Sequence, residues 1–329
     1  MEHRFPAADP HLDQFAQLPN GMRICYRRYG DPAAPAVVLI AGLGLQLVSW
    51  PLAFIEGIVA AGFQVITPDN RDIGRSSHVA QPAPARWRLL VDWLPAGHYQ
   101  LQDMAQDMSQ LLAELGIEKA HWVGMSMGGM VAQTVAAQFA AQVSSLTSIF
   151  STTGNKRVGR AAGSTILRML FSRPALTLEA AQDKYVRTMR HIGNRKIPGI
   201  EAAWRAQMAL AWQRTTPENA RQGYERQIAA ILASGDRTGQ LCEIDTPTLV
   251  LHGDKDRIVH PSGGGATARA IAGAHFYSVQ GMRHQIDAAI TPVLLQVIVP
   301  HLQQAQTTAQ VETQPVATNA GLQPVPHAI

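Results

Sequence analysis

The stretch that most constrains this chain is residues 124–128, Gly-Met-Ser-Met-Gly. The pattern Gly-x-Ser-x-Gly places a serine, here Ser126, on a tight turn between a buried strand and a helix. The serine backbone in such a turn is strained, and the glycines leave room where side chains would collide with the strand and the helix. The flanking sequence agrees, because 119–123 fits a short buried strand and 127–139 has apolar residues at helical spacing. Since so short a pattern also arises by chance, the rest of the chain must decide its meaning.

Strands and helices alternate along most of the chain. The continuous apolar run 36–41 is typical of a strand covered on both faces. Further strands are predicted at 22–29 (an edge strand), 63–67, 145–150, 248–252 and 275–279, and helices at 50–61, 101–115, 127–139 and 291–302. This alternation predicts an α/β fold with a mostly parallel sheet and helices on both faces.

Two segments interrupt the alternation. The connection 78–98 is long and rich in Pro and Trp, and 152–239 is predicted to be largely helical although it falls between two core strands. The second segment fits a cap inserted over the carboxyl edge of the sheet, while extra core helices are the alternative. We therefore predict an N-terminal extension at 1–20 and a core at 21–151 and 240–302. A helical cap is predicted at 152–239, and a disordered tail rich in Gln, Thr, Ala and Pro at 303–329.

Composition indicates a globular protein, since 46% of its 329 residues are hydrophobic and 16% are charged. The net charge of +4 is spread without a long basic run, so no nucleic-acid partner is predicted. Two cysteines form neither a disulfide framework nor a metal-ligand spacing. No stretch approaches the ~20 apolar residues of a membrane span, and 1–20 lacks the apolar core of a signal peptide. We expect a cytoplasmic protein, and leave open whether it forms a homodimer.

Ser126 needs partners, because a serine hydroxyl is a poor nucleophile at neutral pH. A base must take its proton, and an acid must orient that base. For a serine on this kind of turn, the expected chain order is serine, acid, histidine. Among the 12 histidines, His284 has the right order and follows the last predicted strand, at the edge where open α/β sheets gather their chemistry. His284 is therefore the predicted base.

Two carboxylates compete to orient that base. Asp254 and Asp256 both follow the predicted strand 248–252. We favour Asp256, because Asp254 suits the turn directly after that strand. The loop 151–155, which follows the predicted strand 145–150, holds no carboxylate that could serve instead.

An oxyanion hole needs two backbone N–H groups aimed at the developing negative charge. One is predicted to come from Met127, directly after the serine. The other is predicted to come from Leu43, in the Ala-Gly-Leu-Gly loop 41–44. Glycines at these positions also suit a simple turn, but the loop falls where the mechanism needs it.

Five blocks of sequence together resemble the α/β-hydrolase fold family, over most of residues 20–302. The blocks are 41–44 (Ala-Gly-Leu-Gly), 69–76 (Asp-Asn-Arg-Asp-Ile-Gly-Arg-Ser), 124–129, 252–256 (His-Gly-Asp-Lys-Asp) and 281–284 (Gly-Met-Arg-His). Within the family, 69–76 and 124–129 are similar to small esterases that include the anthracycline methylesterase type. The sequence departs from the family pattern at Ala41, which replaces a frequent His, and in the length of the connection 78–98.

The resemblance implies a serine hydrolase that cleaves carboxylic esters of small, mostly apolar molecules through an acyl-enzyme, with no metal or organic cofactor. Ser126, Asp256 and His284 would form its catalytic triad. A lactonase, a thioesterase or a C–C bond hydrolase on the same triad stays open, as does a cofactor-free haloperoxidase. The non-enzymatic alternative is a binding protein that retains the fold.

Three cap residues are candidates for the substrate pocket. Trp204, Met208 and Trp212 are four residues apart and share one broad face of a predicted helix. Such a stripe also fits plain core packing. If it lines the pocket, these side chains select the substrate while the triad performs the chemistry.

Overall fold

The computed structural model describes residues 4–6, 9–90, 97–165 and 175–313. Within these residues the strands are β1 (Gln14–Gln17), β2 (Arg23–Tyr29), β3 (Ala36–Ile40), β4 (Gln64–Pro68), β5 (Ala120–Met125), β6 (Val143–Ile149), β7 (Thr248–Gly253) and β8 (His275–Val279). They form one sheet in the order β1-β2-β4-β3-β5-β6-β7-β8. β1 and β2 pair antiparallel, as do β2 and β4, and all other neighbours are parallel.

The helices of the described residues are α1 (Leu52–Ala60), α2 (Arg86–Leu90), α3 (Leu101–Glu114), α4 (Met127–Gln138), α5 (Leu178–Ile192), α6 (Ile200–Trp212), α7 (Pro217–Ser234), α8 (Thr238–Leu241), α9 (Ser262–Ala270) and α10 (Ile290–Thr313). The predicted α/β fold is confirmed, and most predicted elements are shifted by at most two residues at either end. None of the helices in the described ranges has both the length and the apolar content that crossing a membrane requires.

Alternate side chains of the central strands point to opposite faces of the sheet and pack in two separate cores. Val38 and Ile40 of β3 pack in the cluster that includes α3 and α4, while Val37 and Leu39 pack in the cluster that includes α1 and α10. All four side chains are fully buried. This two-sided burial explains why β3 is apolar along its whole length.

The predicted N-terminal boundary is wrong, because the sheet already begins within residues 1–20. β1 pairs with β2, which places Phe15 opposite Cys25, so the predicted edge strand is the second strand of the sheet. Ala16 and Leu18 are buried in the core. β1 is four residues long, which is too short for an alternating pattern to stand out in the sequence.

The prediction of a disordered tail from residue 303 is wrong for 303–313. α10 continues to Thr313, Ala305 is buried, and Gln306 Oε1 lies 3.2 Å from Nε2 of the buried His121. Gln and Ala favour helix once tertiary contacts support it, although the same residues are common in disordered tails. The rest of the predicted tail, 314–329, lies outside the described residues.

The segment between β6 and β7 is largely helical in its described part, as predicted for 152–239. It contributes α5 to α8, and α5 and α6 pack against each other around their own apolar cluster. The connection 78–98 contains the short helix α2, and its residues 91–96 lie outside the described ranges.

Candidate active site

Ser126 stands on a strained turn between β5 and α4. Its φ of 56° and ψ of −121° lie in a region that residues other than glycine rarely adopt. Its N–H donates to the Ile149 carbonyl of the neighbouring strand at 2.9 Å. A Cβ on Gly128 would collide with the Ile40 carbonyl, and one on Gly124 would collide with the Gly128 carbonyl. The two glycines therefore allow the helix to approach the sheet closely enough to hold this turn.

The structure brings the three predicted triad residues into one hydrogen-bonded chain. Ser126 Oγ lies 3.0 Å from His284 Nε2, and His284 Nδ1 lies 2.7 Å from Asp256 Oδ2. Ser126 follows β5, Asp256 follows β7 and His284 follows β8, so parallel strands deliver all three to one edge of the sheet. The histidine can take a proton from the serine while its other nitrogen is held by a carboxylate.

Asp256 is fixed in its ionised form by its surroundings. Its Oδ1 accepts hydrogen bonds from the N–H groups of Ile258 and Val259, at 2.8 and 3.0 Å. Burial alone would raise the pKa of Asp256, but the charge of His284 and hydrogen bonds from His252 and His284 outweigh it and lower the pKa. The carboxylate is thus held ready to orient His284.

Asp254 lies elsewhere. Its Oδ1 accepts from the N–H of Gly281 at 2.6 Å, and its Oδ2 pairs with Lys255. Asp254 therefore ties the loop after β7 to the loop after β8. Of the two carboxylates that the sequence left in competition, only Asp256 contacts His284 in the described structure.

The predicted oxyanion loop lies beside the serine. A Cβ built on Gly42 would be 3.3 Å from Ser126 Cβ, so the 41–44 backbone passes directly against the nucleophile turn. Within the described part of the chain, the N–H groups of Leu43 and Met127 donate no hydrogen bond. Both N–H groups are thus free to donate to an oxyanion that develops beside Ser126.

The helical segment between β6 and β7, here called the insert, packs against this loop. The Gln227 side chain of α7 accepts from the Gly44 N–H at 3.0 Å and donates to the Arg71 carbonyl at 3.1 Å. The Tyr224 ring lies so close to Gly44 that a Cβ there would sit 2.8 Å from it. Gly44 also has a φ of 70°, which suits glycine. One face of α7 therefore sets the position of the predicted oxyanion loop.

Buried ion pairs fasten the insert to the core. Arg226 of α7 forms a two-pronged pair with Asp72, at 2.7 and 2.8 Å. Arg214, before α7, bonds Asp69 at 2.6 Å and also contacts Asp13. Burial would lower the pKa of Arg214, but the carboxylates of Asp69 and Asp13 outweigh it and raise the pKa. The acid-containing block 69–76 is thus the surface on which the insert is anchored.

Sequence reasoning missed two residues behind the serine and the histidine. The Phe150 ring centroid lies 4.5 Å from that of His284, and Ser151 Oγ donates to the Ser126 carbonyl at 2.8 Å. Their position directly after β6, the strand next to β5, was the available signal. Gln227 offered no comparable signal, because its partners are 156 and 183 residues away in the chain.

The three predicted pocket residues differ in their surroundings. Trp204 is fully buried in the apolar cluster of α5 and α6, so its pocket role is not supported. Met208 and Trp212 are partly exposed, and their pocket role stays a prediction. Their helix packs against Leu47–Ser49 in the core, where Gln207 Nε2 lies 3.3 Å from the Ser49 carbonyl.

Sequence relatives agree with this architecture. Rhodomycin D methylesterase DauP of Streptomyces sp. (strain C5) is 26% identical over 84% of this chain and 93% of its own length. Rhodomycin D methylesterase DnrP of Streptomyces peucetius matches at the same identity and coverage. A putative carbamate hydrolase RutD of Yersinia enterocolitica is 29% identical over 70% of this chain and 73% of its own length.

Solved structures share the fold. A meta-cleavage product hydrolase from Pseudomonas fluorescens IP01 superposes with a TM-score of 0.70 at 17% identity, over 90% of this chain and 100% of the other. The enol-lactonase from Burkholderia xenovorans LB400 superposes with a TM-score of 0.65 at 22% identity, over 88% of this chain and 100% of the other. The family model described as alpha/beta hydrolase fold matches residues 35–286. This chain therefore belongs to the α/β-hydrolase fold family.

Proposed function

We propose that this protein is a serine carboxylesterase that cleaves esters of small, mostly apolar molecules. The observation that carries the proposal is the hydrogen-bonded chain Ser126–His284–Asp256, which ends on a serine held at a φ of 56°. Relatives named as methylesterases, which match 84% of the chain, support ester cleavage with a small alcohol as leaving group.

The first half of the reaction forms an acyl-enzyme. His284 Nε2 takes the proton from Ser126 Oγ as that oxygen attacks the ester carbonyl carbon. Asp256 holds Nδ1–H and stabilises the imidazolium. The N–H groups of Leu43 and Met127 hold the carbonyl oxygen as it becomes negative. The tetrahedral intermediate then breaks its bond to the alcohol oxygen, which receives the proton from His284 Nε2.

The second half returns the enzyme to its starting state. A water molecule gives a proton to His284 Nε2 and attacks the acyl carbon, again forming an oxyanion. The bond to Ser126 Oγ breaks, His284 returns the proton to that oxygen, and the carboxylic acid leaves. Each proton is carried by this chain's own histidine, and the proposed reaction requires no cofactor.

The test compares the wild type with Ser126→Ala. We expect the variant to lose about a thousandfold or more of its turnover of methyl esters and p-nitrophenyl acetate. The exposed Ser278 on β8 offers a matched control, and Ser278→Ala should retain full activity. A variant that retains a tenth of the wild-type turnover would exclude Ser126 as the nucleophile.

Covalent labelling and a substrate series refine the proposal. A fluorophosphonate should add to Ser126 in the wild type and add nothing to Ser126→Ala, as measured by peptide mass spectrometry. Esters, lactones, thioesters and vinylogous 1,5-diketones should then be compared by kcat/KM. If lactones, thioesters or diketones gave a higher kcat/KM than esters, the enzyme would be assigned to the class with the highest value. We retain a cytoplasmic location as a proposal, and light scattering after size exclusion would test for a homodimer.

A further inference from the structure

A concave site lies beside the loops that carry Asp256 and His284. It is a cavity of about 380 Å³ between α5 and the loops that follow β7 and β8. Its lining consists of basic side chains, namely Arg187, Arg190, His191, Arg195, Arg257 and Arg283. Neither Ser126 nor His284 lines this cavity, although Arg257 and Arg283 are chain neighbours of Asp256 and His284. The cavity is thus adjacent to the proposed active site and separate from it.

Most of these charges lack an acidic partner. Arg190 pairs with Glu201 at 2.6 Å. Among the described residues, no carboxylate pairs with Arg187, Arg195, Arg257 or Arg283. The excess of positive charge is therefore a property of the chain around this cavity.

Such a lining is unfavourable when the cavity is empty and favourable when an anion occupies it. Like charges a few ångströms apart repel, and concave sites of one sign concentrate ions of the other sign. The planar guanidinium group binds phosphate and carboxylate oxygens in pairs, and three separate chain segments present guanidinium groups here. The volume equals that of about a dozen waters at ~30 Å³ each, which suits one or two phosphate groups.

We propose that this cavity binds a small phosphorylated molecule, whose phosphate oxygens are held by Arg187, Arg195, Arg257 and Arg283. The concave lining and the limited volume favour a small molecule over an extended surface such as an anionic membrane or a nucleic acid. The proposal does not depend on the esterase assignment, since it concerns a separate cavity and is tested by binding.

Calorimetric titration of the full chain with inorganic pyrophosphate tests the proposal. We expect saturable binding that weakens as salt concentration rises. Arg187 and Arg195 are exposed, so the double variant Arg187→Gln/Arg195→Gln should fold. This double variant should bind pyrophosphate at least about tenfold more weakly than the wild type. The control is Arg269→Gln on α9, which removes one exposed arginine outside the cavity, one that pairs with no carboxylate of the described residues, and should change Kd less than twofold.

Several outcomes would overturn the proposal. One is a wild-type Kd for pyrophosphate above about 1 mM at low salt. Another is an unchanged Kd in both the double variant and Arg257→Gln, with melting temperatures confirming that both are folded. A third is capture by anionic vesicles or single-stranded DNA without pyrophosphate binding, which would assign the arginines to an extended surface. If the protein bound citrate and not pyrophosphate, the ligand of the cavity would be a polycarboxylate and not a phosphorylated molecule.

Discussion

Phe150 combines backbone strain with a contact to the proposed base. It has a φ of 36°, a conformation that bulky residues rarely adopt, and its N–H donates to the Leu251 carbonyl at 2.8 Å. Its ring packs on the imidazole of His284. Strain of this kind persists where the surrounding structure enforces it, often at functional sites. Phe150 thus restricts rotation of the imidazole and helps to hold Nε2 towards Ser126.

The two competing aspartates allow a prediction at the residue scale. Asp256→Asn should lower kcat by about a thousandfold or more with a smaller effect on KM, because His284 loses the carboxylate that orients it and stabilises its charge. Asp254→Asn should retain kcat and lower only the melting temperature, since Asp254 holds the Gly281 N–H. Steady-state kinetics and thermal melts of both variants provide the measurement. The opposite ranking would make Asp254 the orienting acid.

The residues that sequence alone could predict at the site are those fixed by chain order and by strand ends. Ser126, Asp256 and His284 each follow a parallel strand, so periodicity and order were enough to bring them together. The contact of Phe150 with His284 was not predicted, because a ring packed on an imidazole has no sequence pattern of its own. The role of Gln227 was not predicted, because a polar residue on a helix normally faces solvent. Its burial here depends on partners far away in the chain.

At the scale of elements, α7 is the helix that joins the insert to the site. A Cβ on Gly223 would collide with the Asp72 carbonyl, so this helix lies directly on the 69–76 loop. Arg226 and Gln227 extend the same contact to Asp72 and Gly44. Since Arg226, Gln227 and Asp72 are buried, α7 forms a fixed wall beside the predicted oxyanion loop.

Gln227→Ala tests α7 as a positioning element. The variant leaves the Gly44 N–H and the Arg71 carbonyl without their partner, so the 41–44 loop should lose its fixed place beside Ser126. We expect kcat to fall about tenfold with KM changed much less, as for a loss felt mainly in the transition state. Asn219→Ala, in the first turn of the same helix, is the control and should retain kcat. A loss of stability with kcat unchanged would reduce Gln227 to a structural role.

At the scale of the whole molecule, the first strand and the last helix of the described residues both pack into the central fold. β1 adds the outermost strand, and α10 reaches the buried His121 of β5 through Gln306. His121 Nδ1 also lies 2.8 Å from Ser145 Oγ. The imidazole is therefore satisfied in its neutral form, deep between the sheet and the last helix.

His121 gives the molecule a pH dependence with a defined direction. Burial lowers the pKa of His121 from 6.5 to about 4. Between these values the unfolded chain binds a proton that the folded chain does not, so the free energy of unfolding falls as pH falls from 6.5 to 4. The shift corresponds to about 3 kcal/mol, and burial of His301 acts in the same direction.

Urea unfolding at a series of pH values checks this expectation. His121→Gln should unfold with a flatter dependence on pH between 6.5 and 4 than the wild type. His11→Gln, at an exposed position before β1, should retain the wild-type slope. Equal slopes in all three proteins would show that His121 is not responsible.

Alternation along the chain was sufficient to predict the architecture, because central parallel strands are apolar on both faces and helices between them repeat at 3.6 residues. The first strand and the end of the last helix were mispredicted for a physical reason. β1 has four residues, and residues 303–313 are mostly polar, so both take their structure from contacts with the core. Such contacts are absent from any local pattern.

The buried ion pairs between insert and core restrict how relatives of this protein can exchange parts. A chimera that takes the helical insert from one sequence and the sheet from another must keep Arg214 with Asp69 and Asp13, and Arg226 with Asp72. A buried charge left without its partner costs about 3–5 kcal/mol, which is comparable to the whole stability of many domains. The insert and the sheet must therefore change together. A new insert is tolerated only if its charged side chains match those of the sheet and loops that it covers.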